Sequence, residues 1–225
     1  MTRARIANRV LRVPALAVCF AASVSCHPGA SVTGLSPKES ARRITQLRNE
    51  ADACLERFKQ SRGVALEELE CFTEKQYLTT QLQGATDCPL CYLNYGWGLR
   101  LLGDYHRTRL EKIEEMLADA SAAEAGALES KASEAREVVE EYFSRSIEMF
   151  ELYIRTPGRH ISDSFLWLSD NSQFLGDYEK AARYLDDYLR LLGNDLPPAE
   201  RQRLERDLRR YRTLRDQGRV ERAGP

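Results

Sequence analysis

The chain has 225 residues, with 43% hydrophobic and 30% charged side chains, a balance that excludes a disordered tail and a polytopic membrane protein. Its 33 basic and 34 acidic residues leave a net charge of −1, so no global field draws it to nucleic acid. Three scattered histidines and only 13 glycines and 8 prolines point to helices and leave few parts for an enzyme.

The first 25 residues differ from the rest. Arg3, Arg5, Arg9 and Arg12 form a basic lead without an acid, and residues 13–24 run apolar and small before Ser25 and Cys26. This is the outline of a secretory signal peptide. The run is too short for a spanning helix, which needs about 20 apolar residues; a retained signal anchor is the alternative. Ser23-Val24-Ser25-Cys26 resembles the lipobox of bacterial lipoproteins, with Ser23 departing from the family's Leu, Val or Ile. The resemblance implies a lipid anchor on Cys26 and a periplasm-facing protein. His27, where an acid would favour the inner membrane, implies the outer one. Cleavage by ordinary signal peptidase after the same Ser-x-Ser stays open. Loss of the leader's four arginines would take the net charge from −1 to −5. Residues 26–35, poor in large side chains, read as a flexible tether.

From residue 36 to 225 the sequence predicts one helical domain. Ser36-Pro37-Lys38-Glu39 is a helix start, with a serine cap, a first-turn proline and a glutamate three residues after the cap. Ile44, Leu47, Ala51, Cys54, Leu55 and Phe58 then recur at helical spacing. Arg62-Gly63 breaks the pattern, and Leu66, Leu69, Phe72 and Leu78 mark the second helix of a pair over 36–83. Pro89 opens a third helix, expected to end at Leu102. Gly103-Asp104 is expected to turn it into a fourth helix carrying Leu110, Ile113 and Leu117. The alanine-rich stretch 118–132 reads as helix or loose joint. Val139, Phe143, Ser146, Phe150 and Tyr153 line the next helix, up to Pro157-Gly158. Helices over 161–174, 178–192 and 198–216 complete the set, and no β-alternation stands out.

An internal echo suggests the architecture. Leu101-Leu102-Gly103-Asp104-Tyr105 recurs as Phe174-Leu175-Gly176-Asp177-Tyr178, an offset close to two units of about 34 residues. With Phe165, Leu168 and Ala181 around the second copy and Tyr95-Gly96 before the first, residues 89–193 resemble tetratricopeptide repeats. The resemblance implies units at 89–122, 123–158 and 159–193. It puts turns at Gly103, Tyr105, Gly176 and Tyr178, and a close helix crossing at Ala181. The expected fold class is all-α: stacked antiparallel helix pairs after a signal peptide, with residues 198–216 as the polar-faced capping helix such arrays require. The nine arginines against five acids of residues 200–225 read as a solvated face, or as a basic patch for an anionic partner.

Without Cys19 of the leader and a lipidated Cys26, four cysteines remain, an even number suited to an oxidising compartment. Cys54 and Cys71 lie symmetrically about the Arg62-Gly63 turn, each about 13 Å from it along a helix. That height match predicts a Cys54–Cys71 disulfide and leaves Cys88–Cys91 as a local staple; crossed pairs are the alternative. Cys88-Pro89-Leu90-Cys91 at a helix start also admits a thiol-redox role, because a helix N-terminus favours thiolate. It lacks the βαβ context of thioredoxins. The cysteine spacings are unlike those of a zinc ribbon, and no metal or other cofactor is expected.

No phosphate-binding loop, HExxH or GxSxG is present, and Gly96-Trp97-Gly98 with Gly103 has the wrong spacing for a nucleotide loop. No catalytic residue or small-molecule substrate is expected. The tetratricopeptide resemblance implies a concave groove lined by Leu93, Trp97, Arg100 and Leu101 from one unit and by Asp163, Leu166, Asp170, Gln173 and Phe174 from another. Core packing of Leu93, Trp97 and Phe174 is the alternative reading. The expected function is a lipid-anchored periplasmic adaptor or scaffold for another envelope protein or peptide, as in the assembly of outer-membrane, secretion or pilus complexes. A thiol-redox protein and a purely structural helical lipoprotein are the rivals.

Overall fold

Seven helices follow one another in the computed structural model, which describes residues 35–83, 88–156, 161–192 and 195–223. They are α1 (Pro37–Gln60), α2 (Leu66–Gln83), α3 (Pro89–Ala118), α4 (Ala122–Arg155), α5 (Asp163–Phe174), α6 (Tyr178–Leu192) and α7 (Pro198–Ala223). No strand occurs among the described residues. The expected leader, the Cys26 anchor, nearly all of the tether and the breaks at Gly84 and Pro157-Gly158 lie outside them. No described helix is long and apolar enough to cross a membrane.

The helix starts follow their sequence signals. Ser36 and Glu39 form a reciprocal capping box, with Glu39 N donating to Ser36 Oγ at 3.3 Å and Ser36 N to Glu39 Oε2 at 3.0 Å. Two orphan amides of α1 are thereby satisfied. Helix α4 opens on the same device, Ser121 with Glu124. Arg62 at φ +58° and Gly63 at φ +79° turn the chain after α1, and Gly63 N bonds back to Phe58 O at 3.1 Å. Gly176, at φ +73°, ends α5, and Asp177 caps α6 through its Oδ1 to Lys180 N at 3.0 Å.

Each helix packs against its neighbours in chain order, from α1–α2 through to α6–α7. The α3–α4 pair is antiparallel. Gly96 meets Phe150, Gly103 meets Phe143, and Arg136 reaches Glu114, so register falls on one helix as it rises on the other. The core runs along the array. Ala51, Cys54, Phe58, Leu69, Phe72, Leu101 and Leu102 join α1 to α3. Tyr92, Leu93, Ile147, Phe150, Leu168 and Tyr184 join α3 to α6, and Ala181, Leu185, Tyr188, Leu204, Leu208 and Tyr211 seat α7. Helix α2, between α1 and α3, buries threonines whose hydroxyls bond to carbonyls of their own helix: Thr73 to Leu69 O at 2.9 Å and Thr80 to Gln76 O at 2.9 Å. That bonding makes a polar buried face tolerable.

Two expectations are corrected. Gly103 and Tyr105 make no turn, because α3 runs unbroken from Pro89 to Ala118. A Cβ on Gly103 would come 2.4 Å from Phe143 Cε1, and one on Gly96 would come 3.0 Å from Met149 Cβ. Both glycines therefore serve close helix crossing, with their backbone in the ordinary helical conformation. Gly98 does the same towards α2, where a Cβ would come 2.8 Å from Thr73 Oγ1. Within the expected units 89–122 and 123–158 the described residues form one long helix each, α3 and α4, so neither is a helix pair. Residues 159–193 do hold a pair, α5 and α6, with Gly176 at its turn and Ala181 fully buried at the crossing. The alanine-rich stretch divides between the end of α3 and the start of α4.

Candidate functional site

Several of the nine residues expected to line a groove also pack between helices. Leu93 and Leu101 are buried. Trp97 fills the space between two core clusters and meets Phe72 edge-on at 5.6 Å. Phe174 lies edge-on to Phe143 at 5.0 Å, and Leu166 packs on the α6–α7 cluster. Gln173 Oε1 accepts from the Tyr211 hydroxyl at 3.2 Å. Asp163 stands at the start of α5; burial, with Glu200 nearby, pushes its carboxyl up.

Arg100 is the centre of this packing. Its Nη1 donates to Asn171 Oδ1 at 2.7 Å and to Trp167 O at 3.3 Å, and its Nη2 lies 3.2 Å from Asp170 Oδ2. Asn171 Nδ2 in turn donates to Ser146 Oγ at 3.1 Å, and Ser146 Oγ donates to Gly96 O at 2.8 Å. This chain ties α3, α4 and α5 through satisfied buried polar groups, the arrangement that specifies one packing over its alternatives. Arg100 and Asp170 are thus occupied with each other.

A concave surface lies between α2, α3 and α4. A cleft of about 230 Å³ is floored by Thr73, Leu99 and Leu102 and walled by Tyr77, Tyr95 and Tyr142, with Glu70, Glu74 and Arg145 at its mouth. Tyr77 and Tyr95 tilt together at 5.5 Å, and Tyr142 stacks on His106 at 5.4 Å. Arg145 donates from Nη2 to the Tyr95 hydroxyl and from Nη1 to Glu141 Oε1 at 3.3 Å. Burial raises the Tyr95 and Tyr142 phenols, and Glu141, with Glu70 at Tyr142, adds to it. Burial, with Arg109, lowers His106 and keeps its imidazole neutral. The cleft therefore offers protonated phenols, aromatic faces and carboxylates, with no nucleophile held against a base.

Sequence reasoning missed Tyr77, Tyr95, Tyr142, Glu70, Glu74 and Arg145 as a group. Glu70, Glu74 and Tyr77 recur at i, i+4 and i+7 beside the apolar stripe of α2, and Tyr142 and Arg145 at i and i+3 on α4. Such aromatic residues beside polar stripes are the available signal.

Among the cysteines, Cys54 and Cys71 are bridged, with Cα atoms 6.0 Å apart, as the height match predicts. Cys88 and Cys91 are not joined, which corrects the expected staple. The Cys91 thiol donates across to Gln83 Oε1 on α2, an oxygen that also accepts from Arg48 Nη2 at 3.4 Å. A hydrogen bond with Cys88, followed by burial, pushes the Cys91 thiol far up, the opposite of what a thiolate nucleophile needs. Glu68 lies within metal-ligating distance of Cys54 and Cys71, but both sulfurs are consumed in the bridge.

No protein-family model matches the chain, and no curated protein or solved structure is significantly similar to it.

Proposed function

We propose that the chain is an exported, lipid-tethered helical adaptor that holds another envelope protein against the α2–α3–α4 cleft and does no chemistry of its own. The observation that carries this reading is the cleft: a recess walled by three tyrosines in an array whose Arg100–Asn171–Ser146 cluster is spent on internal packing. Tyrosine supplies large contact area at low entropic cost together with a hydrogen-bonding tip, the profile of a protein-binding surface.

The Cys54–Cys71 bridge supports export, since such bonds persist in oxidising compartments. The leader outline and the Ser23-Val24-Ser25-Cys26 string support a periplasm-facing anchor, at the outer membrane by the identity of His27. The tetratricopeptide-like part is α5–α6, with its Gly176 turn and Ala181 crossing, and α7 caps it. Helices α1 to α4 extend the stack and carry the binding surface.

Photo-crosslinking tests the reading. A benzophenone amino acid at position 77 is expected to capture a discrete envelope protein in cells, whereas the same group at exposed Val64 is not. Equal, diffuse labelling from both positions would remove the adaptor role. The anchor is tested by Cys26→Ala, expected to release the protein from the membrane fraction and to abolish incorporation of radiolabelled fatty acid.

A further inference from the structure

We infer that the α2–α3–α4 cleft recognises a cationic side chain, a lysine ammonium or arginine guanidinium, presented by the bound protein. The inference rests on the adaptor reading for the source of that side chain, but its chemistry comes from the cleft alone.

Tyr77, Tyr95 and Tyr142 line the recess, with Tyr77 the most exposed of the three, and aromatic rings carry negative potential on their faces that attracts a cation. Glu70 and Glu74 stand at its mouth one helical turn apart on α2. Like charges at i, i+4 repel on a helix surface, and no described cation forms an ion pair with either one. Two nearby cations have other partners. Arg145 is held by Glu141 and the Tyr95 hydroxyl. Lys75, beside Glu74 in sequence, turns to Glu50 on α1 at 3.4 Å. The cleft thus holds two carboxylates without an ion-pair partner beside three tyrosines, and an incoming cation relieves the repulsion while its alkyl stem packs along the exposed Tyr77 ring. Burial raises the Tyr142 phenol, and Glu70 and Glu141 add to that rise while Arg145 opposes it. An anionic side chain would meet Glu70 and Glu74 unfavourably.

The test uses the mature protein with its tyrosine rings isotopically labelled, titrated by NMR with four capped tripeptides: acetyl-Gly-Lys-Gly-amide and its Arg, Gln and Glu counterparts. Saturable shifts confined to Tyr77, Tyr95 and Tyr142 are expected with the Lys or Arg peptide and not with the Gln or Glu peptide. The double variant Glu70→Gln/Glu74→Gln, changed at exposed positions, is expected to weaken that binding about fivefold. Tyr77→Leu is expected to weaken it about threefold while leaving the far-ultraviolet spectrum and melting point unchanged. Equal response to the Gln peptide, preference for the Glu peptide, no saturable shift with any peptide, or unaltered affinity in the double variant would each overturn the inference. Failure here with a successful crosslink at position 77 would leave the adaptor reading standing and remove only the cationic occupant. Success here without a crosslink would do the reverse.

Discussion

Arg100 Nη1 lies 2.7 Å from Asn171 Oδ1, joining α3 to the C-terminal half of α5. Asn171 is almost wholly buried and passes the connection on to Ser146. Replacing Asn171 by Ala would leave the Ser146 hydroxyl short of a donor and the guanidinium short of an acceptor. A loss of about 2–3 kcal/mol is expected, read as a lower urea midpoint at unchanged slope. A change within about 0.5 kcal/mol would mean that water replaces the amide.

The glycines of the long helices predict opposite signs. Gly103→Ala places a methyl 2.4 Å from Phe143 Cε1, and the displacement of a packed ring is expected to cost about 1–3 kcal/mol. Gly126 in α4 has open space around it, so Gly126→Ala is expected to stabilise by about 0.5–1 kcal/mol through helix propensity. Thermal denaturation of the two variants side by side checks both signs.

Alkaline pH is expected to loosen the α4–α7 half. Burial, helped by the hydrogen bond to Glu151, pushes Tyr184 up to about 12, and burial does the same for Tyr188 and Tyr211. Each phenol holds its proton more tightly folded than unfolded, where it titrates near about 10. Stability from these groups is therefore complete below the unfolded value and lost as pH rises through about 10 towards about 12. Tyrosinate absorbance followed on the native and urea-unfolded chain should separate into two curves, the native one higher in pH. Coincident curves would contradict the burial.

The Cys54–Cys71 bridge closes a sequence separation of 17 residues, for which restricting the unfolded chain is worth about 3 kcal/mol. Reduction, or Cys71→Ser, is expected to lower the melting temperature accordingly. In the oxidised protein Cys88 and Cys91, both buried, should react with a thiol reagent only after urea is added. Rapid labelling of the native state would place them at the surface.

How much of this was legible in the sequence depended on whether local chemistry or packing decides. The Ser36-Pro37-Glu39 start, the Arg62-Gly63 turn and the cysteine pair symmetrical about it rest on nearest-neighbour chemistry, and the helices obey it. The string Leu-Gly-Asp-Tyr occurs twice with two outcomes. At 175–178 the glycine takes φ +73° in an exposed corner; at 102–105 it is buried mid-helix under the Phe143 ring. What separates them is a partner 40 residues away in the chain, which no local string encodes. The division of α3 between groove and core was hard to read for a related reason. Helix α3 is buried along more than one face, so its apolar and aromatic residues could not be divided by periodicity into core and surface.

Because Gly98 admits α2 on one flank of α3 while Gly96 and Gly103 admit α4 on the other, the helix between them is unusually thin. That slenderness brings Tyr77 and Tyr142, which belong to helices not adjacent in the chain, near enough to share a recess. The width of the mouth is therefore governed in part from behind, by glycines outside its lining. A methyl added at Gly98 would press on Thr73 in the floor of the recess and so change what fits in front of it.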